Sequence, residues 1–369
     1  MRDVEDPPTF DDGTYEDLSP RDKDRFEEDF DNNLEEFSED AIEIELRSEY
    51  DHQKEHLDLI KAACAAFHPE DGAARSESEF KLVGVNPLAG RRQTPADVAA
   101  IRPEYNGVYV LLICCEIGGE RRNEWVENVN SVHRYFNAPE TRQQIEEKLG
   151  INSRDLDIGY ATLTREDDTT GMDYTILDRN CDASPYAVWE CETGDKWLRH
   201  VEGSFVHSGL RDTFQDEIDY DRREDPLDYA VGSHSVFPLE DLVYRIVKEN
   251  TEFDAEDPDE FDHSTFVEHY DDGLQVFCRQ ATRDSLINSE IKEILHDGLA
   301  ANILTDNKDE LNTNKDYRVV YSGSRGPRHA RDAVKRRFFE NMPAYERGRR
   351  AFELTKDEFD SESNLGDYQ

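Results

Sequence analysis

The sequence predicts an α/β fold: a mixed central sheet flanked by helices, with a core in the order α-β-β-β-α-β, and a smaller α+β C-terminal domain. Three observations lead there. The chain has 369 residues, enough for a sizeable core and roughly two domains. The run VYVLLICC at 108–115 is apolar throughout, as in a strand covered on both faces. Around it, segments with helical spacing of apolar residues alternate with short β-rich segments.

The elements follow in order. Ile42, Leu46, Tyr50, Leu57, Ile60, Cys64 and Phe67 recur at helical spacing and predict a helix over 42–67. EFKLVGV at 79–85 reads as a short strand, closed by Asn86-Pro87 and Gly90. TPADVAAI at 94–101 reads as a second strand, and Asn106-Gly107 marks the tight turn that pairs it with VYVLLICCE as a hairpin. In RNEWVENVNSVHRYF (122–136), Trp125, Val129, Val132 and Phe136 form one helical face. DIGYATLT (157–164) and YAVWECE (186–192) are further strands, and FPLEDLVYRIVKEN (237–250) is a helix. No internal repeat is present.

Charge divides the chain. Formal net charge is −43, from 86 acidic and 43 basic residues, with 31 Arg and 12 Lys. Residues 1–41 read as an acidic mobile tail, 42–250 as the α/β domain, 251–263 as an acidic linker, 264–352 as a basic C-terminal module, and 353–369 as a second acidic tail. Acid scattered along the whole chain with little Lys is similar to the composition of proteins from a salt-saturated cytoplasm, that of a haloarchaeon or its virus. At molar salt the Debye length is about 3 Å, so self-repulsion is muted. Acidity then says little about partners, and local departures from it say more.

The largest departure is 316–350, with a net charge of +6. DYRVVYSGSRGPRHARDAVKRRFF reads as strand, Gly-rich turn and helix. Arg325, Arg328, Arg331, Lys335 and Arg336 are the candidate phosphate contacts of a nucleic-acid-binding surface. The competing reading pairs this helix with the acidic tails or an acidic partner. Phe338, Phe339 and Tyr345 read as core.

Other classes are disfavoured. The N-terminus has no basic n-region and no apolar h-region, and VYVLLICC is far short of a membrane span, which predicts a soluble cytoplasmic protein. None of the six cysteines has CxxC spacing, and they read as reduced thiols. Cys181, Cys191, His200 and His207 match no ordinary zinc pattern. HQKEH at 52–56 is not HExxH, and GxSxG is absent.

The candidate chemistry lies at the end of the apolar run. Glu116 follows it and Gly118-Gly119 follow Glu116, so the carboxylate stands where the sheet opens. Asp97, after Pro95, begins the preceding strand, and antiparallel pairing puts that start beside the other strand's end. Two adjacent carboxylates repel unless something neutralises them, and a hard divalent cation does so. Glu49 flanks the apolar face of the first helix. A second set, Glu190 and Glu192 before Lys196 with Asp178 upstream, has a similar logic but a longer spacing.

The element order, Pro95-Ala96-Asp97 and Glu116 together resemble the PD-(D/E)XK nuclease superfamily over about 42–165. The resemblance implies a restriction-endonuclease-like fold, with Mg²⁺ or Mn²⁺ held by Asp97, Glu116 and Glu49 for phosphodiester hydrolysis. The family's lysine belongs two residues after the glutamate, where this chain has Gly118. Arg121 is the candidate replacement, able to stabilise charge but not to act as a base; Arg122, Arg91 and Arg92 are others. The expectation is therefore either a metal-dependent nuclease with a migrated cation or a degenerate nuclease-like protein that binds nucleic acid without cutting. The alternative is a non-catalytic viral or plasmid accessory factor or a structural interaction protein. Oligomeric state is not legible.

The charge generates the first prediction. Diluting the protein from molar to 0.1 M KCl lengthens the Debye length to about 10 Å and exposes the carboxylates to one another. Circular dichroism should show unfolding on dilution; an unchanged melting temperature at low salt refutes the halophilic reading.

Overall fold

A computed structural model describes residues 15, 18–68, 72, 78–85, 96–105, 107–118, 122–149, 156–169, 181–204, 206–215, 217–220, 229–252, 260–273, 280–306, 316–320 and 326–366. The chain is a mixed α/β protein that divides into two compact units. One comprises 51–238 and 264–293; the other comprises 1–50, 239–263 and 294–369.

The first of these units is built on a seven-stranded sheet. Its strands are β1 (Lys81–Val85), β2 (Val98–Glu104), β3 (Gly107–Cys115), β4 (Leu156–Arg165), β5 (Tyr186–Glu192), β6 (Trp197–Gly203) and β7 (Ile218–Asp219). They lie side by side in chain order. The pairs β1–β2 and β2–β3 are antiparallel, β3–β4 and β4–β5 parallel, and β5–β6 and β6–β7 antiparallel. Parallel strands need crossovers. Helices α3 (Arg122–Asn137) and α4 (Pro139–Leu149) lie between β3 and β4, and the short α5 (Glu166–Thr169) follows β4.

Alternation along the strands separates two apolar layers. On one face Leu111, Ile113, Leu163 and Trp189 pack with Leu57, Ile60, Cys64 and Phe67 of α2 (Glu39–Ala66) and with Phe214 of α6 (Ser208–Gln215). On the other, Val110, Leu112, Tyr160 and Val188 pack with Val126, Val129, Val132 and Phe136 of α3 and Ile145 of α4. β3 is thus covered on both sides, as its unbroken apolar character requires. Gly159 of β4 serves the first face: a β-carbon there would collide with the Tyr109 ring, whose hydroxyl donates to the Val206 carbonyl.

Helix α2 crosses from one unit into the other after Tyr50. So do α7 (Val236–Glu252), after Pro238, and α9 (Gln280–Ala300), after Glu293. Helix α8 (His263–Gly273) begins at the third crossing point, between His263 and Ser264.

The second unit holds α1 (Pro20–Glu36), α10 (Pro327–Gly366) and a three-stranded sheet ordered β8-β10-β9, from β8 (Glu260–Phe261), β9 (Leu304–Asp306) and β10 (Tyr317–Val319). Phe26 and Phe30 of α1 pack on Ala351 and Phe352 of α10, and Asn33 donates to Thr355 and Glu358.

Three expectations change. Residues 20–36, read as a mobile tail, form α1, capped by Ser19, because Phe26, Phe30 and Asn33 recur on one helical face and find α10. The acidic linker at 251–263 contains β8, whose Glu260 is buried against Arg318; residues 253–259 lie outside the described ones. The acidic segment from 353 continues α10 to Gly366. The two units are therefore interleaved, not consecutive. A smaller difference concerns β2, expected over 94–101. Its register with β3 carries pairing on through Arg102, Pro103 and Glu104.

Trp189 stacks on Phe214 with ring centroids 4.4 Å apart. Trp189→Ala removes a side chain that is 2 % exposed and should cost about 3–5 kcal/mol of unfolding free energy. Denaturant unfolding measures it; a loss under about 1 kcal/mol would contradict this packing.

Candidate functional site: an acidic pair beside a histidine

The hairpin brings the two expected carboxylates to the same place. Val98 pairs with Ile113, so Asp97, one residue before β2, lies beside the last residues of β3. The Asp97 amide donates to the Ile113 carbonyl at 3.0 Å, and the Glu116 amide donates to Leu163 of β4 at 2.9 Å. Glu116 thus stands at the carboxyl ends of parallel strands, where open α/β sheets place their sites.

The group that meets Asp97 is a histidine. His56 Nε2 lies 3.2 Å from Asp97 Oδ1, and the Cys115 amide donates to Asp97 Oδ2 at 2.6 Å. Glu116 is held from the other face, where Asn128 of α3 donates to Oε1 at 2.9 Å. Burial works against a charge on His56, but Asp97 outweighs it. Glu116 and the Cys115 carbonyl add to that, and the imidazole pKa is raised. Burial pushes the Glu116 carboxyl up to about 7, with Asp97 adding to the rise and Asn128 and His56 opposing it. The neighbouring thiols of Cys114 and Cys115 are pushed well up by burial and stay protonated. The cluster can hold and transfer protons near neutrality.

The remaining candidates separate into groups. Glu49 is exposed and belongs to the other unit; His56, two turns along the same helix, is the α2 residue that reaches Asp97. Arg121, Arg91, Arg92 and Pro95 lie outside the described residues, and nothing is described of the Arg122 side chain. Gly118, in the lysine's place, has φ +83°, a left-handed conformation that disfavours any side chain. Among the described residues no group of three or more His, Cys, Asp or Glu side chains is arranged to hold a metal ion.

The second acidic set is structural. Glu190 is 4 % exposed and accepts from Thr169 and Arg199. Glu192 accepts from the Gly194 and Asp195 amides and so shapes the β5–β6 turn. Arg199 is the cation that pairs with Glu190. Asp178 is outside the described residues. Cys181 and Cys191 belong to opposite faces of the sheet, which dissolves the zinc set.

The basic stretch also divides. Arg328 and Arg331 are exposed and have no partner among the described residues; Arg336 is exposed, 3.9 Å from Glu340. Lys335 lies 3.8 Å over the Tyr50 ring, and Arg337 donates to the Asn302 carbonyl. Arg347 pairs with Glu39, Arg349 with Glu346 and Glu353, and Arg350 with Glu45 through both terminal guanidinium nitrogens. Arg347 and Arg350 fasten α10 to α2, whereas Arg349 pairs within α10. Arg325 lies outside the described residues. Phe338 and Phe339 are core, as expected.

His56 and Asn128 are what sequence reading missed. His56 directly precedes the core residue Leu57, and HQKEH stands out in the sequence only for the motif it fails to match.

The cluster makes stability depend on pH. A His56 pKa raised above its unfolded value contributes stability that is full below about 6.5 and lost as pH rises through the folded value. Glu116 acts in the same direction: the folded state holds its proton more tightly, so stability falls as pH rises from 4.5 to about 7. In EDTA, Glu116→Gln should flatten this fall and be the more stable protein at pH 8, by about 1–3 kcal/mol. Parallel stability–pH curves for the two proteins would count against the cluster.

Comparison with known proteins finds no family model, no curated protein and no solved structure that matches the chain.

Proposed function

We propose that this protein is a nuclease-like α/β protein that binds nucleic acid without cutting it, in the cytoplasm of a halophile. The observation that carries the reading is the occupation of Asp97: its two oxygens are engaged by the His56 ring and the Cys115 amide. His56, whose pKa Asp97 raises against the effect of burial, stands beside the acidic pair where the family the chain resembles has a hard cation. Gly118, with its left-handed backbone, stands in place of the lysine that would stabilise charge in the transition state.

Binding rests on different residues. Arg328, Arg331 and Arg336 are exposed on the first turns of α10, inside the one stretch where an acidic chain turns basic. Exposed guanidinium groups suit phosphates. Lys335 is not counted with them, since its ammonium is placed over Tyr50. Among the described residues no helix is long and apolar enough to cross a membrane. The second reading is a Mg²⁺-dependent phosphodiesterase using Asp97 and Glu116. It is favoured by Glu116 Oε2, which accepts no hydrogen bond from the described residues. A third is an accessory or structural protein whose partner is another protein.

Fluorescence anisotropy with labelled single- and double-stranded DNA and RNA, over a KCl series, tests the binding. The triple change of Arg328, Arg331 and Arg336 to Gln should weaken it and reduce the salt slope by about 1 for each phosphate no longer neutralised. Undiminished binding, or none in the parent, leaves the protein-partner reading. Incubation with Mg²⁺ or Mn²⁺ should leave the nucleic acid intact. Metal-dependent cleavage that Asp97→Asn abolishes would establish the phosphodiesterase instead.

A further inference from the structure

The parallel register continues one step past β3. Cys115 pairs with Leu163, the Glu116 amide bonds to the Leu163 carbonyl, and Thr164 pairs with Glu190. Glu116, Thr164 and Glu190 therefore stand in a row across three neighbouring chains, about 4.8 Å apart. All three belong to the face covered by α3. Leu163 and Ala161 point to the opposite layer, and Asn128 grips Glu116 from α3.

The middle member of the row is unusual. Thr164 is 0 % exposed, and its hydroxyl has no hydrogen-bond partner among the described residues. Leaving a buried hydroxyl unpaired costs about 1–3 kcal/mol. Its neighbour Glu190 does not take it up, being engaged by Thr169 and Arg199. On the other side, Asn128 fixes Glu116 Oε1, and Oε2 accepts no bond from the described residues. A carboxylate and a buried hydroxyl that are both short of partners among the described residues thus occupy neighbouring register positions on one face of the sheet.

We propose that Glu116 and Thr164 bind a single hard divalent cation of the Mg²⁺ class on the α3 face of the sheet. Oxygen ligands suit such an ion, which commonly takes one or two carboxylates and keeps several waters. The surroundings select against an anion: Asp97, Glu124 and Glu190 are all carboxylates near the row, and His56 and Arg199 are already paired. The site differs from the one the nuclease resemblance implies. It uses Thr164 in place of Asp97, whose oxygens are taken. It does not depend on the nucleic-acid reading, and its test contains no nucleic acid.

Mn²⁺ is the probe, titrated calorimetrically in molar KCl so that the many surface carboxylates are screened. The parent protein should bind one ion above the weak surface background. Thr164→Val, which keeps the shape and removes the hydroxyl, and Glu116→Gln should each weaken that binding at least tenfold. Thr164→Ser should restore it, and Asp97→Asn should change it by no more than a few-fold. Melting curves without metal establish that each variant is folded. Absence of a stoichiometric ion in the parent overturns the proposal, as does parental affinity in Thr164→Val. Loss of binding in Asp97→Asn with retention in Thr164→Val also overturns it, and would put the ion between the two hairpin carboxylates.

Discussion

Burial of β3 on both faces is the constraint from which the rest follows. Seven successive residues, from Tyr109 to Cys115, lie within the two apolar layers, one formed with α2 and the other with α3. Such a strand can carry chemistry only where the covering ends. Glu116 is the first residue past that limit, and it meets polar groups from both layers there, with Asn128 arriving from α3 and the charge of His56 from α2. The carboxylate that ends the apolar run marks the rim of the sheet.

Much of the sheet unit was legible because its signals are local. Apolar spacing gave α2, α3 and α7 to within a few residues, and YAVWECE coincides with β5. The proximity of Asp97 and Glu116 was also legible, since hairpin pairing follows from one turn and two strands. The identity of the side chain that meets Asp97 was not. His56 is more than forty residues before either strand's end, and its orientation depends on how α2 lies over the sheet, a tertiary fact. The interleaving of the units was hidden for the same reason. Acidic composition mimics a linker or a tail, and only packing reveals that Glu260 is buried with Arg318 or that Phe26 meets Phe352.

The basic stretch shows how a charge count can mislead. Its excess positive charge is counted over ten basic residues, yet three of them, Arg347, Arg349 and Arg350, are engaged by carboxylates of α2 and α10. In a chain with this many acids, an arginine is often a fastener between helices. Several such pairs are largely exposed, and each contributes little by itself. At molar salt their geometry and hydrogen bonds matter more than their long-range field.

The interleaving has a consequence for how such a protein can change over generations. The chain passes between its two units four times, near residues 50, 238, 263 and 293, three of these passages running inside helices. Neither unit is a continuous stretch of coding sequence. A single recombination event could carry the whole seven-stranded sheet in 51–238 but would leave 264–293 behind, and it cannot replace the other unit as a block. Each unit is instead bound to evolve in the company of the other, one substitution at a time.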